Sequence, residues 1–175
     1  VCSSDLEHVR ALTVGKVCGS GLKSVSLAAG NIALGHSSLV VAGGQECMSA
    51  VPYLLPTARD GYRMGHKEVM DSLIVDGLWD PYNNQQMGNC GELCAKEKNF
   101  TREMQDSYAT ESFKRAQAAQ ASGKFKTEIA PIAIAGAKGD STVVSEDEGP
   151  VKVKFEKIST LKPAFDKNGT VTAAN

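Results

Sequence analysis

The chain has 175 residues, a formal net charge of −1, 42% hydrophobic residues and 22% charged residues, the make-up of an ordinary globular protein. Acids and bases balance without a block of either sign, which argues against nucleic acid or an anionic membrane surface as a partner. The apolar runs fall well short of the ~20 residues that span a bilayer, and no charged-then-apolar segment opens the chain, so a cytoplasmic or organelle-matrix location is the default expectation.

Residues 9–17, Val-Arg-Ala-Leu-Thr-Val-Gly-Lys-Val, are β-branched and roughly alternating, which predicts a strand ending at Val17. Cys18-Gly19-Ser20-Gly21 then requires an immediate turn. Leu22, Val25, Leu27, Ala29, Ile32, Ala33 and Leu34 recur at three- and four-residue spacing and are apolar on most sides, the pattern of a largely buried helix closed by Gly35 at C′. Ser20 and Ser24 are expected to serve as a helix cap and a packed hydroxyl. Residues 38–44 form a short apolar run of the type covered on both faces. Together these predict a strand, tight turn, buried helix and strand: a βαβ unit of an α/β fold.

Beyond Gly44 the character changes. From Cys47 to about Leu78, Pro52, Pro56, Gly61, Gly65 and Gly77 interrupt any periodicity. A loop with short helical pieces is expected, longer than the ~12–15 residues of a passive connection. Gly88–Asn99 predicts a short helix. Thr101 reads as the N-cap of a longer helix over roughly 102–122, with Glu103 in its first turn and Met104, Tyr108, Ser112, Arg115 and Ala119 along one side. That helix stops at Gly123. Residues 129–134 and 151–155 are candidate strands, with Glu146–Glu148 as an exposed turn between them. The chain ends on Thr-Val-Thr-Ala-Ala-Asn, which is apolar and β-prone and looks interrupted.

Five cysteines, an odd number without a secretion signal, are read as reduced thiols. Cys18 stands apart because a thiol where a strand meets a helix lies in the field of the helix N-terminus, which favours the anion. Gly19 and Gly21 permit the sharp turn and the close approach of a ligand. A nucleophile for acyl transfer is one reading, a buried structural cysteine the other. Cys90 and Cys94 lie one helical turn apart, but without the further ligands that zinc requires they are read as packed thiols, so no metal is expected. His8, His36 and His66 are assigned to surface or turn positions.

The run Val17–Ser24, with Leu-Thr-Val-Gly-Lys before it and Val40–Ser49 after it, resembles the nucleophile region of the thiolases. The likeness continues through Asp76–Leu78, Met87–Glu92, Arg102–Asp106, Gly123–Phe125 and Leu161–Asn175, and so covers nearly all of the chain from about Ala11. Within the family it is most similar to the acetyl-CoA C-acetyltransferases, the acetoacetyl-CoA thiolases.

This resemblance implies a thiolase-like α/β fold, with part of an N-terminal core domain in residues 1–47, an inserted loop domain covering coenzyme A (CoA) in 48–167, and a return to the core in 168–175, where an N-terminal-half fragment is cut. Cys18 matches the nucleophile that carries the acetyl group as a thioester, its N–H helping to form an oxyanion hole. Met87 matches a residue lining the pantetheine tunnel, and Leu78 one in the CoA-binding loop region. Gln86 stands where relatives often have His and keeps a hydrogen-bonding side chain that does not titrate. Where several relatives place an arginine on adenine near Pro150–Lys154, Lys152 or Lys154 could meet phosphates only as point charges.

The resemblance further implies that two acetyl-CoA condense to acetoacetyl-CoA and CoA, or the reverse, in the context of fatty acid metabolism. CoA thioesters are the substrates, without a tightly bound cofactor, and the full-length protein is a homodimer or homotetramer. The family's Gly-His-Pro and Cys-x-Gly motifs, which supply acid–base chemistry from a C-terminal half, are absent from these residues, so the fragment alone is expected to be inactive. A longer-chain 3-ketoacyl-CoA thiolase of β-oxidation, a catalytically incomplete CoA-binding or assembly fragment, and a redox-sensing thiol protein built on Cys18, Cys90 and Cys94 are the rival readings.

Overall fold

Helix α1 spans Ser20–Ala33 in a computed structural model that describes residues 9–136 and 139–175. It is entered through a 3-10 turn, Val17–Gly19. At its other end Gly35 takes φ 72°. The Gly35 N–H donates to Ile32 O at 3.0 Å and the His36 N–H to Asn31 O at 2.9 Å, the paired bonds of a Schellman motif. The expected C′ glycine is therefore in place.

The surroundings of α1 differ from the expectation. Of its residues only Ala28 is buried, whereas Leu22 is 82% and Leu34 71% exposed. The flanking segments expected as strands, 9–17 and 38–44, carry no ladder among the described residues. They and α1 line one open cleft of about 740 Å³, with Leu12, Val14, Leu27, Leu39 and Val41 on its walls. β-branched composition favours extended backbone, but a strand exists only when a neighbour takes its N–H and C=O groups. Among the described residues no neighbour does, so the βαβ unit is represented by its helix alone.

The chain divides into two compact units, Val1–Asn84 and Gln85–Asn175. In the first, the long excursion is a loop with short helical turns as expected, and it carries in addition two short strands that were not expected. Strand β1, Tyr53–Leu54, pairs antiparallel with β2, Met70–Asp71, setting Tyr53 opposite Asp71. A π-helical turn, Leu73–Gly77, follows. Its start is tied by the Leu73 N–H to Asp71 Oδ1 at 2.9 Å, and its length by the Ser72 hydroxyl to Asp76 Oδ2 at 2.6 Å. Strand β3, Trp79–Asp80, ends in a buried carboxylate. Asp80 accepts the Tyr82 N–H at 3.0 Å and the Asn83 amide at 2.6 Å, as an Asx turn does.

In the second unit, β4, Gln85–Gln86, leads directly into α2, Met87–Glu97. Asn99 at φ 56° ends α2: its N–H donates to Lys96 O at 3.3 Å, and that of Phe100 to Ala95 O at 2.8 Å. Helix α3, Arg102–Ala121, begins at Thr101 as expected, the Thr101 hydroxyl oxygen accepting the Met104 N–H at 3.2 Å. It stops at Gly123, φ 72°.

The side of α3 carrying Met104, Tyr108, Ser112 and Arg115 faces solvent. The stripe turned inward is Arg102, Gln105, Asp106, Ala109, Phe113, Gln117 and Gln120. Its long polar side chains bind main chain: Arg102 Nη2 donates to Ile158 O at 2.9 Å and Leu161 O at 3.0 Å, Gln117 to Pro150 O at 2.8 Å, and Gln120 to Asp147 O at 2.7 Å. A loop without its own ladder leaves carbonyls that need donors. This face supplies them.

Strand β5, Ile132–Ala135, overlaps the expected strand at 129–134. Its partner is β6, Ser141–Val144, with Ile132 opposite Val144 and Ala135 opposite Ser141. The strand expected at 151–155 does not form. Val151 closes α4, Glu148–Val151, and Phe155 opens α5, Phe155–Ile158. The acidic run, expected as a plain exposed turn, supplies the N-cap of α4: Asp147 Oδ1 accepts the Gly149 N–H at 3.0 Å, and Pro150 fits a first helical turn, where no donor is needed. The last residues dock on α3. Asn175 Nδ2 donates to Asp106 Oδ1 at 2.6 Å, and Asn175 Oδ1 accepts the Thr172 N–H at 2.7 Å.

Among the described residues no large side chain is fully buried.

Candidate active site

Cys18 sits in the middle of the 3-10 turn that opens α1, exposed and without a disulfide partner. The residue before it, Val17, has φ 45°. A β-branched side chain in the left-handed region crowds its own backbone and costs about 1–2 kcal/mol. The turn around it is tied to offset that strain. The Gly19 N–H donates to Lys16 O at 2.9 Å. The Ser20 hydroxyl accepts the Lys16 N–H at 2.8 Å and donates to Val17 O at 2.8 Å.

Ser20 is therefore the first residue of the helix and a cross-tie over the elbow; Gly19 is the N-cap, with no side-chain cap bond. Ser24, half-buried, donates its hydroxyl to Gly21 O at 2.7 Å, closing the first turn of α1. The result is a thiol presented at the N-terminal end of a 14-residue helix, where peptide dipoles favour negative charge on a bound group.

Leu78 lies in the first unit with Cys18. It follows the π-helical turn, its N–H donates to Ile74 O at 3.0 Å, and its side chain is 45% exposed. Gln86 and Met87 lie in the second unit. Gln86 is the extended N-cap of α2, at φ −74° and ψ 153°, and its side chain makes no cap bond. Met87 is the first helical residue, half-exposed. Trp79 is half-buried beside Leu78, and Tyr82 is exposed.

Cys90 and Cys94 share α2. Cys90 receives the Gln85 amide at 3.3 Å, and Cys94 and Cys47 are exposed. His36 lies in the turn after α1 and His66 is exposed; His8 and Cys2 lie outside the described residues. Lys152 Nζ pairs with Glu148 at 2.5 Å, and Lys154 is the N-cap of α5.

Residues 2–175 match the family described as thiolase, N-terminal domain. The chain belongs to the thiolase family. It is 54% identical over 168 residues to a protein named acetyl-CoA acetyltransferase from Cupriavidus necator, covering 95% of this chain and 43% of that one. It is 50% identical over 165 residues to acetyl-CoA acetyltransferase 2 of Arabidopsis thaliana, covering 93% and 41%. It is 52% identical over 169 residues to acetyl-CoA acetyltransferase erg10A, mitochondrial, of Aspergillus fumigatus, covering 95% and 39%. This thiolase chain thus spans about two fifths of the length of the curated relatives it matches. Its mixed helix and strand content accords with the α/β class of the family domain. Among the described residues no helix is long and apolar enough to cross a membrane.

The elbow residues Val17, Cys18 and Ser20 are neighbours in the chain, so their spacing was readable in advance. The backbone strain at Val17 was not, because the sequence shows no glycine there to announce a positive φ.

Proposed function

We propose that the protein is an acyltransferase that joins two acetyl-CoA to acetoacetyl-CoA and CoA, or runs the reverse thiolysis, with Cys18 as nucleophile. The observation that carries this reading is the exposed Cys18 thiol on a strained, cross-tied elbow at the start of α1. The names of the relatives support the choice of acetyl-CoA.

In the first half-reaction the Cys18 thiolate attacks the thioester carbonyl of acetyl-CoA. The oxygen of the tetrahedral adduct takes up negative charge, and we assign the Cys18 N–H at the helix end as a donor to it. The C–S bond to CoA breaks, the departing CoA sulfur takes the proton that the activating base drew from the Cys18 thiol, and acetyl-Cys18 remains. In the second, a base removes a proton from the methyl group of another acetyl-CoA, and the resulting enolate attacks the acetyl-Cys18 carbonyl. The Cys18–acyl bond breaks, giving acetoacetyl-CoA and the free thiolate. Using one sulfur as both nucleophile and leaving group predicts ping-pong kinetics.

The acid–base groups belong to Gly-His-Pro and Cys-x-Gly motifs that this sequence does not contain, and we assign them to polypeptide packed on the exposed apolar surface around α1. Leu78, Gln86 and Met87 bind the CoA thioester, Met87 along the acyl path, and no tightly bound cofactor is required. Residues 1–47 and 168–175 belong to the core domain, and 48–167 form the loop domain that covers CoA. We place the assembled protein in the cytoplasm, as a homodimer or homotetramer. A 3-ketoacyl-CoA thiolase for longer chains uses the same chemistry, and chain-length profiling separates the two.

The test is incubation of the protein expressed from its complete gene with radiolabelled acetyl-CoA, followed by quenching and peptide mapping. One acetyl group per chain, lost on addition of CoA and mapped to Cys18, is the expected result. Label elsewhere, or label undiminished in Cys18→Ser, would overturn the assignment.

A further inference from the structure

The segment that follows α5 is clasped to the start of α2 by contacts in which each partner fits the other's backbone. The Phe165 ring lies so close to the Gly88 main chain that a Cβ at Gly88 would collide with it. Asn89 Nδ2 reaches the Phe165 carbonyl at 3.5 Å. One turn further along α2, the Glu92 carboxylate takes the Thr170 N–H on both oxygens, at 3.0 and 2.9 Å. It also takes the Val171 N–H at 2.8 Å and the Thr170 hydroxyl at 3.3 Å. Gly169 leaves room for it, since a Cβ there would collide with the carboxylate. The loop 164–171 is closed on itself by the Ala164 N–H to Val171 O at 2.9 Å.

A carboxylate makes strong, charge-assisted bonds, and bonds to three donors at once define a register that a neutral side chain does not reproduce. Shifting Thr170 or Val171 would break them. Because Ala164 is tied to Val171, the same shift would move Phe165. The ring meets Gly88, one residue from Met87, and Phe165 and Met87 are each partly exposed, at 40% and 41%.

We propose that Glu92 is a positioning residue for acyl selectivity: by holding Thr170 and Val171 it seats the Phe165 ring on Gly88, and that seated ring limits the length of acyl chain accepted beside Met87. This rests on the reading above that Met87 lies along the acyl path. Glycine at 88 is the complementary requirement, since only a residue without Cβ lets the ring sit there.

The experiment uses the protein expressed from its complete gene and compares kcat/KM for thiolysis of acetoacetyl-CoA and 3-ketohexanoyl-CoA in wild type, Phe165→Leu, Gly88→Ala, Glu92→Gln and Gly88→Ala/Phe165→Leu. A pocket wall typically discriminates a methylene by about 10-fold or more. Phe165→Leu, which keeps an apolar residue and is expected to fold, should therefore move the six-carbon to four-carbon ratio by about that factor. Gly88→Ala and Glu92→Gln should move it in the same direction, and adding Gly88→Ala to Phe165→Leu should change it little further, because the ring that collides is gone. A uniform loss of kcat with an unchanged ratio in these variants would mean a merely structural role and overturn the proposal. So would an unchanged ratio in Phe165→Leu alone. Wild-type acetylation of Cys18 with no ratio change in any variant leaves the functional reading standing and sinks this one; absence of wild-type acetylation removes both.

Discussion

The Ser20 hydroxyl donates a 2.8 Å hydrogen bond to the carbonyl oxygen of Val17, the residue whose positive φ turns the chain into the Cys18 elbow. The same hydroxyl accepts the Lys16 N–H, so one side chain ties both strands of the turn. Replacing it with alanine removes two exposed bonds, at a cost of about 1 kcal/mol. Ser20→Ala should lower the unfolding free energy by that amount and slow acetyl transfer to Cys18 severalfold, while Ser20→Thr, which keeps the oxygen, should retain most of both. Rapid-quench acetylation and urea unfolding measure the two effects. Equal rates in Ser20→Ala and wild type would show that the tie is dispensable.

Arg102 gathers three acceptors: Asp106 Oδ2 at 2.8 Å and the carbonyls of Ile158 and Leu161. Both ionic side chains are mostly buried, at 21% and 14% exposure, so truncation strands acceptors that water only partly reaches. Arg102→Ala should destabilise the second unit by roughly 2–3 kcal/mol. Arg102→Lys should cost about half as much, because an ammonium lacks the planar fork that spans these acceptors. Chemical denaturation followed by far-ultraviolet circular dichroism provides the comparison; a lysine variant as stable as wild type would contradict it.

Asn99 ends α2 at φ 56° and is exposed. Asparagine tolerates this conformation and glycine tolerates it better. Asn99→Gly should therefore leave stability unchanged or slightly raised, whereas Asn99→Ala should cost about 1 kcal/mol. Because the side chain is exposed, the pair reads mainly backbone strain, and thermal unfolding of both variants measures it.

The Glu103 carboxyl is held below its usual range, first by a backbone N–H at the start of α3, then by the Thr101 hydroxyl, with a smaller contribution from Arg102. A carboxylate whose folded value is depressed binds fewer protons in the folded state than in the unfolded one. Its stabilisation is thus complete above the ordinary glutamate range and is lost as the pH falls through the lowered folded value. Stability should decline on acidification across that window, and Glu103→Gln should remove this part of the slope. Thr101→Ala should weaken it too, while costing about 1 kcal/mol at neutral pH as a lost cap. Urea titrations at successive pH values test the sign: a Glu103→Gln variant with an unaltered slope would rule it out.

Local signals were legible where a few neighbouring residues decide the outcome. Gly35 and Gly123 announced helix ends, and Thr101 a helix start, because caps and left-handed residues are set within one turn. The Cys18 elbow was legible for the same reason. The helices α2 and α3 were placed to within a residue or two of their observed bounds. At 151–155 the β-branched Val151 and Val153 favour a strand, but the Asp147 carboxylate caps a helix there instead. The Thr-Val-Val run of Ser141–Val144 carries the same β-branched signal, and there a strand does form.

The sequence by itself determined the helix bounds and the placing of Cys18 at a turn into a helix, since these depend on short-range geometry, while its contiguous motifs carried the resemblance to the thiolases. Only the tertiary structure decided which face of α3 turns inward. That face is polar, and its arginine and glutamines were informative only once the loop carbonyls they satisfy were in place. The clasp of Glu92 on Thr170 and Val171, 78 and 79 residues apart in sequence, is of the same kind: no periodicity within either segment encodes a bond between them. The segments flanking α1 mark the opposite case, strand-like composition without a strand, because a ladder requires a second backbone alongside the first.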